Sequence, residues 1–154
     1  INKVIIDYIK PLISSIDDLT IEIDKIIDKA FIMADEKQIR QACSNLIKNS
    51  YENITLNKIP EGNISICFGI ENDFASITIN DNGTGIDKSI ISKIVEPYYT
   101  TKVGNSGLGL AITKKIIDDH NGIILIKPLK SPKGMSVTLK FPLISKLKKE
   151  KNRW

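Results

Sequence analysis

Three groups of residues in this chain could do chemistry. The first is Asn45 and Asn49, four residues apart within a helical pattern and therefore on one face, a single turn apart. Asn is a weak helix former because its amide competes for backbone hydrogen bonds, so two of them beside an apolar stripe ask for a reason. A neutral carbonyl oxygen is a suitable hard ligand for a Mg²⁺ ion already held by phosphates. Taken alone, the pair reads more simply as two solvated amides.

The second group is Asp81-Asn82-Gly83-Thr84-Gly85-Ile86, directly after an apolar strand pattern. A carboxylate at a strand end can accept a hydrogen bond from an exocyclic amine such as that of adenine. The two glycines let the backbone turn sharply and let a flat ring approach with no Cβ in the way. An ordinary Asp-Asn-Gly turn has the same composition. The third group is Thr100-Thr101-Lys102, followed by Asn105-Ser106-Gly107-Leu108-Gly109-Leu110 and an apolar helix. Small residues at a helix start expose backbone N–H groups at the positive end of the helix dipole, which is a phosphate site, and Lys102 adds a mobile cation. The polar stretch before it reads as a lid that can close over a ligand, or as a flexible loop with a helix cap.

The elements that must position these groups follow from periodicity. Residues 3 to 16 have helical spacing with a break near Pro11. Strand patterns occupy Leu19 to Asp24 and Ala30 to Asp35. Helical spacing returns from Glu36 to about Thr55, with Ile39, Ala42, Cys43, Leu46, Ile47 and Ser50 as one stripe and Asp35 as N-cap. After a Pro60-Glu61-Gly62-Asn63 turn come strands at 64–70 and 74–80, joined through Glu71-Asn72-Asp73. A short amphipathic helix is expected at 87–95. A longer one runs from Gly107 to a His120-Asn121-Gly122 stop, and strands follow at 123–129 and 135–141. This order argues for a two-layer α/β (α+β) sandwich, its mixed, mostly antiparallel sheet covered on one face by helices, with a flexible lid.

Composition narrows the function. The 154 residues suit one domain, taken as residues 1–144 with a basic tail at 145–154. Lys146, Lys148, Lys149, Lys151 and Arg153 against Glu150 give that tail the whole net charge of +4. Residues 1–144 are therefore neutral, with no broad cationic face for nucleic acid. No run of about 18 apolar residues exists and no signal peptide is visible. The helical start suggests a domain cut from a longer chain, which could itself be a membrane protein. Cys43 and Cys67 lie in apolar segments without metal-site spacing, which suits core positions in a reducing compartment.

The stretches NLIKNSYEN (45–53), DNGTGI (81–86), EPYYTTK (96–102) and GLGLAI (107–112) resemble, in order and spacing, the N, G1, F and G2 boxes of the ATP-binding domain of sensor histidine kinases. That domain is shared with DNA gyrase, Hsp90 and MutL, and the resemblance covers the chain from its first helix to Pro142. NLIKNSYEN with PYYTTK is most similar to the NtrY-like nitrogen-regulation kinases. The resemblance implies ATP and Mg²⁺ as cofactors, with Asn49 on the metal beside Asn45, and Asp81 on the adenine amine. It implies Gly83, Gly85 and Ile86 around the base, and Lys102, Lys48 and the amides of Gly107, Leu108 and Gly109 on the phosphates. Asn49 and Lys102 would be the catalytic pair.

Three positions depart from the family pattern. Asn105 stands where glycine usually opens the second glycine box, and Val95 where Phe is common. Met135 replaces a common Thr, which leaves the polar partner of Asp81 open. Where members hydrolyse ATP, the residue one turn before the metal-binding Asn is typically Glu. Asn45 cannot act as a general base near neutral pH, so hydrolysis is expected to be slow. His120, at a helix end, reads as a cap or surface residue. The phosphoacceptor is then expected on a dimerisation hairpin of the same parent protein, N-terminal to these residues, and this chain alone is expected not to label itself. A response regulator would receive the signal. The implied setting is a cytoplasmic domain, itself without membrane contact, in a parent anchored in the bacterial inner membrane. Two rival readings share the fold: an anti-sigma-type serine/threonine kinase, and a degenerate nucleotide-binding scaffold.

Overall fold

The computed structural model describes residues 19–23, 30–99, 107–131 and 133–144. The expected first helix, the segment carrying Lys102 and Asn105, and the basic tail lie outside these residues. In chain order the elements are β1 (Thr20–Ile23), α1 (Glu36–Leu56), β2 (Asn63–Glu71), β3 (Phe74–Asp81), a 3-10 turn at Lys88–Ile90, α2 (Gly109–Asp119), β4 (Ile123–Lys130) and β5 (Lys133–Pro142). The sheet order is β1-β2-β3-β5-β4, with β1 parallel to β2 and every other pair antiparallel. This is the mixed, mostly antiparallel sheet that the pattern implies. No described helix is long and apolar enough to cross a membrane.

Helix α1 starts where the sequence says it should. Asp35 accepts from Lys37 N at 2.8 Å and Gln38 N at 3.1 Å, satisfying two of the orphan N–H groups of the first turn. The stripe Ile39, Ala42, Cys43, Leu46, Ile47, Ser50 and Ile54 is buried. It packs on Ile64, Ile66, Ile77, Ile79, Val137, Leu139 and Phe141 of the sheet. These sheet residues alternate along their strands, so one face is core, and in β3 the inward series Ala75, Ile77, Ile79 ends on Asp81. The β2–β3 hairpin turns through Asn72 and Asp73, both at positive φ, as a two-residue primed turn demands.

Three expectations need correction. Residues 30–35 are not a strand: Ile32 forms a single bridge to Leu143, while Phe31 and Met33 are exposed, because the chain must leave the sheet to become the Asp35 cap. The helix expected at 87–95 is only the 3-10 turn at Lys88–Ile90 followed by further turns. Asp87 caps the Ser89 N–H, and within this span only Ile94 is buried, too little apolar surface to hold a full helix. Helix α2 begins at Gly109, two residues later than expected. Its stop is as read: His120 is the C-cap, Asn121 takes φ 52°, and Gly122 N returns to Ile117 O at 2.9 Å.

Cys43 is fully buried as expected, and burial pushes its thiol from an ordinary 9.0 to about 12, whereas Cys67, expected in the core, is half-buried on the opposite sheet face, because it alternates with the inward Ile64 and Ile66. Above pH 9 the unfolded thiol loses its proton while the folded one keeps it, so the native state binds more protons and stability must fall as pH rises. Urea unfolding of wild type and Cys43→Ala at pH 7 and pH 10 checks this. The wild type should lose about 1.4 kcal/mol more than the variant across that interval.

Candidate functional site

Asp81 is 3% exposed, and a buried carboxylate is tolerable only when donors surround it. Ser50 Oγ donates to Oδ2 at 3.0 Å, Gly83 N donates to Oδ1 at 3.0 Å, and Met135 N donates to Oδ1 at 3.3 Å. The partner left open by Met135 is thus met in two ways: its backbone N–H serves in place of a side-chain hydroxyl, and α1 supplies a hydroxyl from the other side. Asp81 and Met135 are register partners in β3 and β5, which puts that N–H within reach.

The loop after Asp81 is shaped by what it cannot accommodate. A Cβ on Gly83 would stand 2.6 Å from Asn53 Nδ2 and 3.0 Å from Asp81 Oδ1. Gly85 has φ +71°, and a Cβ there would lie 2.8 Å from Gly134 O. On Gly134 a Cβ would collide with the Asp81 carbonyl. Asn53 also accepts from Thr84 Oγ1 at 2.9 Å, tying the loop to α1. Asn82 fixes its base, accepting from Asn63 N at 2.8 Å and donating to Glu61 O at 2.9 Å. Ile86 is half-buried at the far end of this loop.

The same helix reaches the start of α2. Asn45 Nδ2 donates to Gly109 O at 3.2 Å, and the fully buried Thr113 donates to the same carbonyl at 2.9 Å. A methyl group on Gly109 would lie 3.6 Å from Asn49 Nδ2, an ordinary contact, so protein packing does not require glycine there. Leu108 occupies the cap position and gives no side-chain hydrogen bond to the first turn of α2, so no side chain caps that turn among the described residues. Gly107, at φ +67°, is pressed against the backbone of Tyr98 and Tyr99, bringing the EPYY segment beside the helix start.

The structure therefore brings Asn45 and Asn49 of α1 against Gly109, and Asp81 and Gly83 against Ser50 and Asn53 of the same helix. Gly85 packs on Gly134, and Gly107, next to Leu108 at the cap position of α2, packs on Tyr98 and Tyr99. Successive helical residues point about 100° apart, so Asn49 faces the α2 start while its neighbour Ser50 faces Asp81. Lys48 is on the exposed flank, 3.9 Å from Glu52, and must leave that pair to reach a phosphate. Lys102 lies outside the described residues. His120 is a brace: its Nε2 accepts from Asp35 N at 2.9 Å while Nδ1 is 2.7 Å from Ile116 O, a network that assigns the hydrogen to Nδ1. Sequence reading did not single out Ser50, Asn53 or Gly134 as site residues. A serine inside an apolar stripe and a third Asn at the same spacing were the available signals for the first two.

A family model described as histidine kinase-, DNA gyrase B- and HSP90-like ATPase matches residues 34–145, and the chain belongs to that family. It is 34% identical over 127 residues to an NtrY-like sensor histidine kinase of Rickettsia typhi, a match covering 82% of this chain and 21% of that protein. The chain thus spans about a fifth of the length of the curated relatives it matches. The solved catalytic domain of histidine kinase ThkA has a TM-score of 0.70 at 26% identity, covering 92% of this chain and 88% of that one. A mycobacterial sensor histidine kinase, MprB, shares the fold with a TM-score of 0.78 at 21% identity, over 92% of this chain and 93% of the other. The chain is an ATP-binding domain of the histidine kinase type.

The glycine contacts make a graded prediction for stability. At Gly83→Ala the new methyl meets the movable end of Asn53, and the cost should be about 1 kcal/mol. At Gly134→Ala it meets backbone that cannot swing away, and the cost should be about 3 kcal/mol or more. Denaturant unfolding of both variants measures the order; equal costs would show that the approach of β3 to β5 is not the tight point.

Proposed function

We propose that this domain binds Mg·ATP between α1 and the loops at Asp81–Ile86 and Gly107–Gly109, and presents the γ-phosphate to a histidine on a dimerisation hairpin of a longer sensor protein. The observation that carries the reading is Asp81, the one buried carboxylate among the described residues, held by donors on α1, β5 and its own loop beside a glycine turn packed closely on Asn53 and Gly134. An ionised carboxylate can only accept, which suits the exocyclic amine of adenine. The amide of Asn49 supplies an oxygen for Mg²⁺, and the first turn of α2, which Leu108 does not cap, supplies N–H groups for phosphate oxygens, where a glycine at position 109 leaves room for close approach. Bound Mg²⁺ would supply neutralisation of phosphate charge; the protein's part is to orient the nucleotide.

Asn45, Gly83, Gly85 and Ile86 shape the walls in this reading, while Lys102, Lys48 and the amides of Gly107 and Leu108 complete the phosphate end. Asn45 already donates to Gly109 O and carries no basic atom for activating water, which supports retention of ATP over its hydrolysis. His120 has one ring nitrogen accepting from Asp35 N and the other beside Ile116 O, so it is a poor phosphoacceptor, and the acceptor belongs to another domain of the parent. A response regulator would take the phosphoryl group onward, in a parent anchored in the inner membrane. Calorimetry and γ-labelled ATP test the proposal together. The wild type should bind Mg·ATP without acquiring acid-labile label, and Asp81→Asn should weaken binding by about ten- to a hundredfold. Absence of binding heat, or phosphohistidine on this chain alone, would contradict it.

A further inference from the structure

Ser50 is 3% exposed and sits in the apolar stripe of α1, where a hydroxyl has no packing advantage over alanine. A mid-helix serine commonly turns its hydroxyl back onto the preceding turn. Here the hydroxyl donates across the domain to Asp81 Oδ2 at 3.0 Å. The other carboxylate oxygen, Oδ1, takes the backbone donors of Gly83 and Met135. The two oxygens are thus held by different elements, Oδ1 by loop and sheet and Oδ2 by the helix that also carries Asn49. Met135 presents a thioether side chain, and Ser50 of α1 supplies a side-chain hydroxyl at Asp81.

We propose that Ser50 is a positioning residue that sets purine specificity: its hydroxyl fixes the rotation of the Asp81 carboxylate, so that Oδ2 meets a purine carrying a 6-amino group. The inference rests on Asp81 being the purine acceptor. A carboxylate pinned through one oxygen only can rotate the other away from its ligand. The hydroxyl, bonded to Oδ2, restrains that rotation. Ser50 therefore acts through Asp81, and its removal should be felt only by ligands that use the 6-amino group.

Titration calorimetry with Mg·ATP and with the Mg complex of purine riboside triphosphate, which lacks the 6-amino group, tests this on wild type, Ser50→Ala, Ser50→Thr and Asp81→Asn. Ser50→Ala should weaken ATP about tenfold while leaving the analogue within about twofold, and Ser50→Thr should restore the ATP preference. Equal weakening of both ligands, or unchanged ATP preference in Ser50→Ala, would overturn the role of Ser50. If Ser50→Ala does not fold, Ser50→Cys, with similar volume and a weaker donor, gives the same comparison. The underlying reading fails separately: wild type would then show no preference for ATP over the analogue, and Asp81→Asn would change neither affinity.

Discussion

The site exists because one helix is hooked at three points along its length. Asn45 holds the first carbonyl of α2, Ser50 holds the carboxylate ending β3, and Asn53 holds Thr84 in the following loop. Between them the apolar stripe of α1 lies on the sheet and fixes the helix's rotation. Any rotation of α1 about its axis would expose isoleucines and break all three hooks at once. The two walls of the site are therefore set by the core, and they cannot drift independently.

The far ends of the helices are tied as well. His120, closing α2, accepts from the backbone N–H of Asp35, which in turn caps α1. Its ring also meets Phe141 edge-on at 6.5 Å, so the brace is seated on the sheet. With Asn45 at one end of α2 and His120 at the other, the two helices are bound as a pair. The start of α2 thereby keeps its position against Asn49. A frame of this kind keeps Asn49 and Asp81 in a fixed relation to each other.

Much of this was legible in the residues. The 3.6 period and the Asp35 cap defined α1, and the apolar pattern of β3 put Asp81 at the strand end; that it lies on the inner face is what the structure adds. The glycines at 83 and 85 were read as a sharp turn that admits a flat ring, whereas in the structure the places a Cβ would take face Asn53 and the Gly134 carbonyl. Ser50 was read as part of the stripe and not as a donor, since a hydroxyl in an apolar face gives no direction by sequence. Gly134 was silent because its need arises from Asp81, distant in sequence and adjacent only through register pairing. The segments at 30–35 and 87–95 were misread for the opposite reason: local apolar spacing was present, but too few of those residues find a buried partner.

The central claim is that one ligand touches both walls of this frame at the same time. Amide chemical-shift mapping with Mg·ADP, including the side-chain amide of Asn49, tests it most directly. A shared site predicts one saturable event that moves Asn49 and the first-turn amides of α2 together with Gly83 and Met135, all with the same midpoint. Shifts confined to one group, or two groups saturating at different concentrations, would contradict a shared nucleotide site.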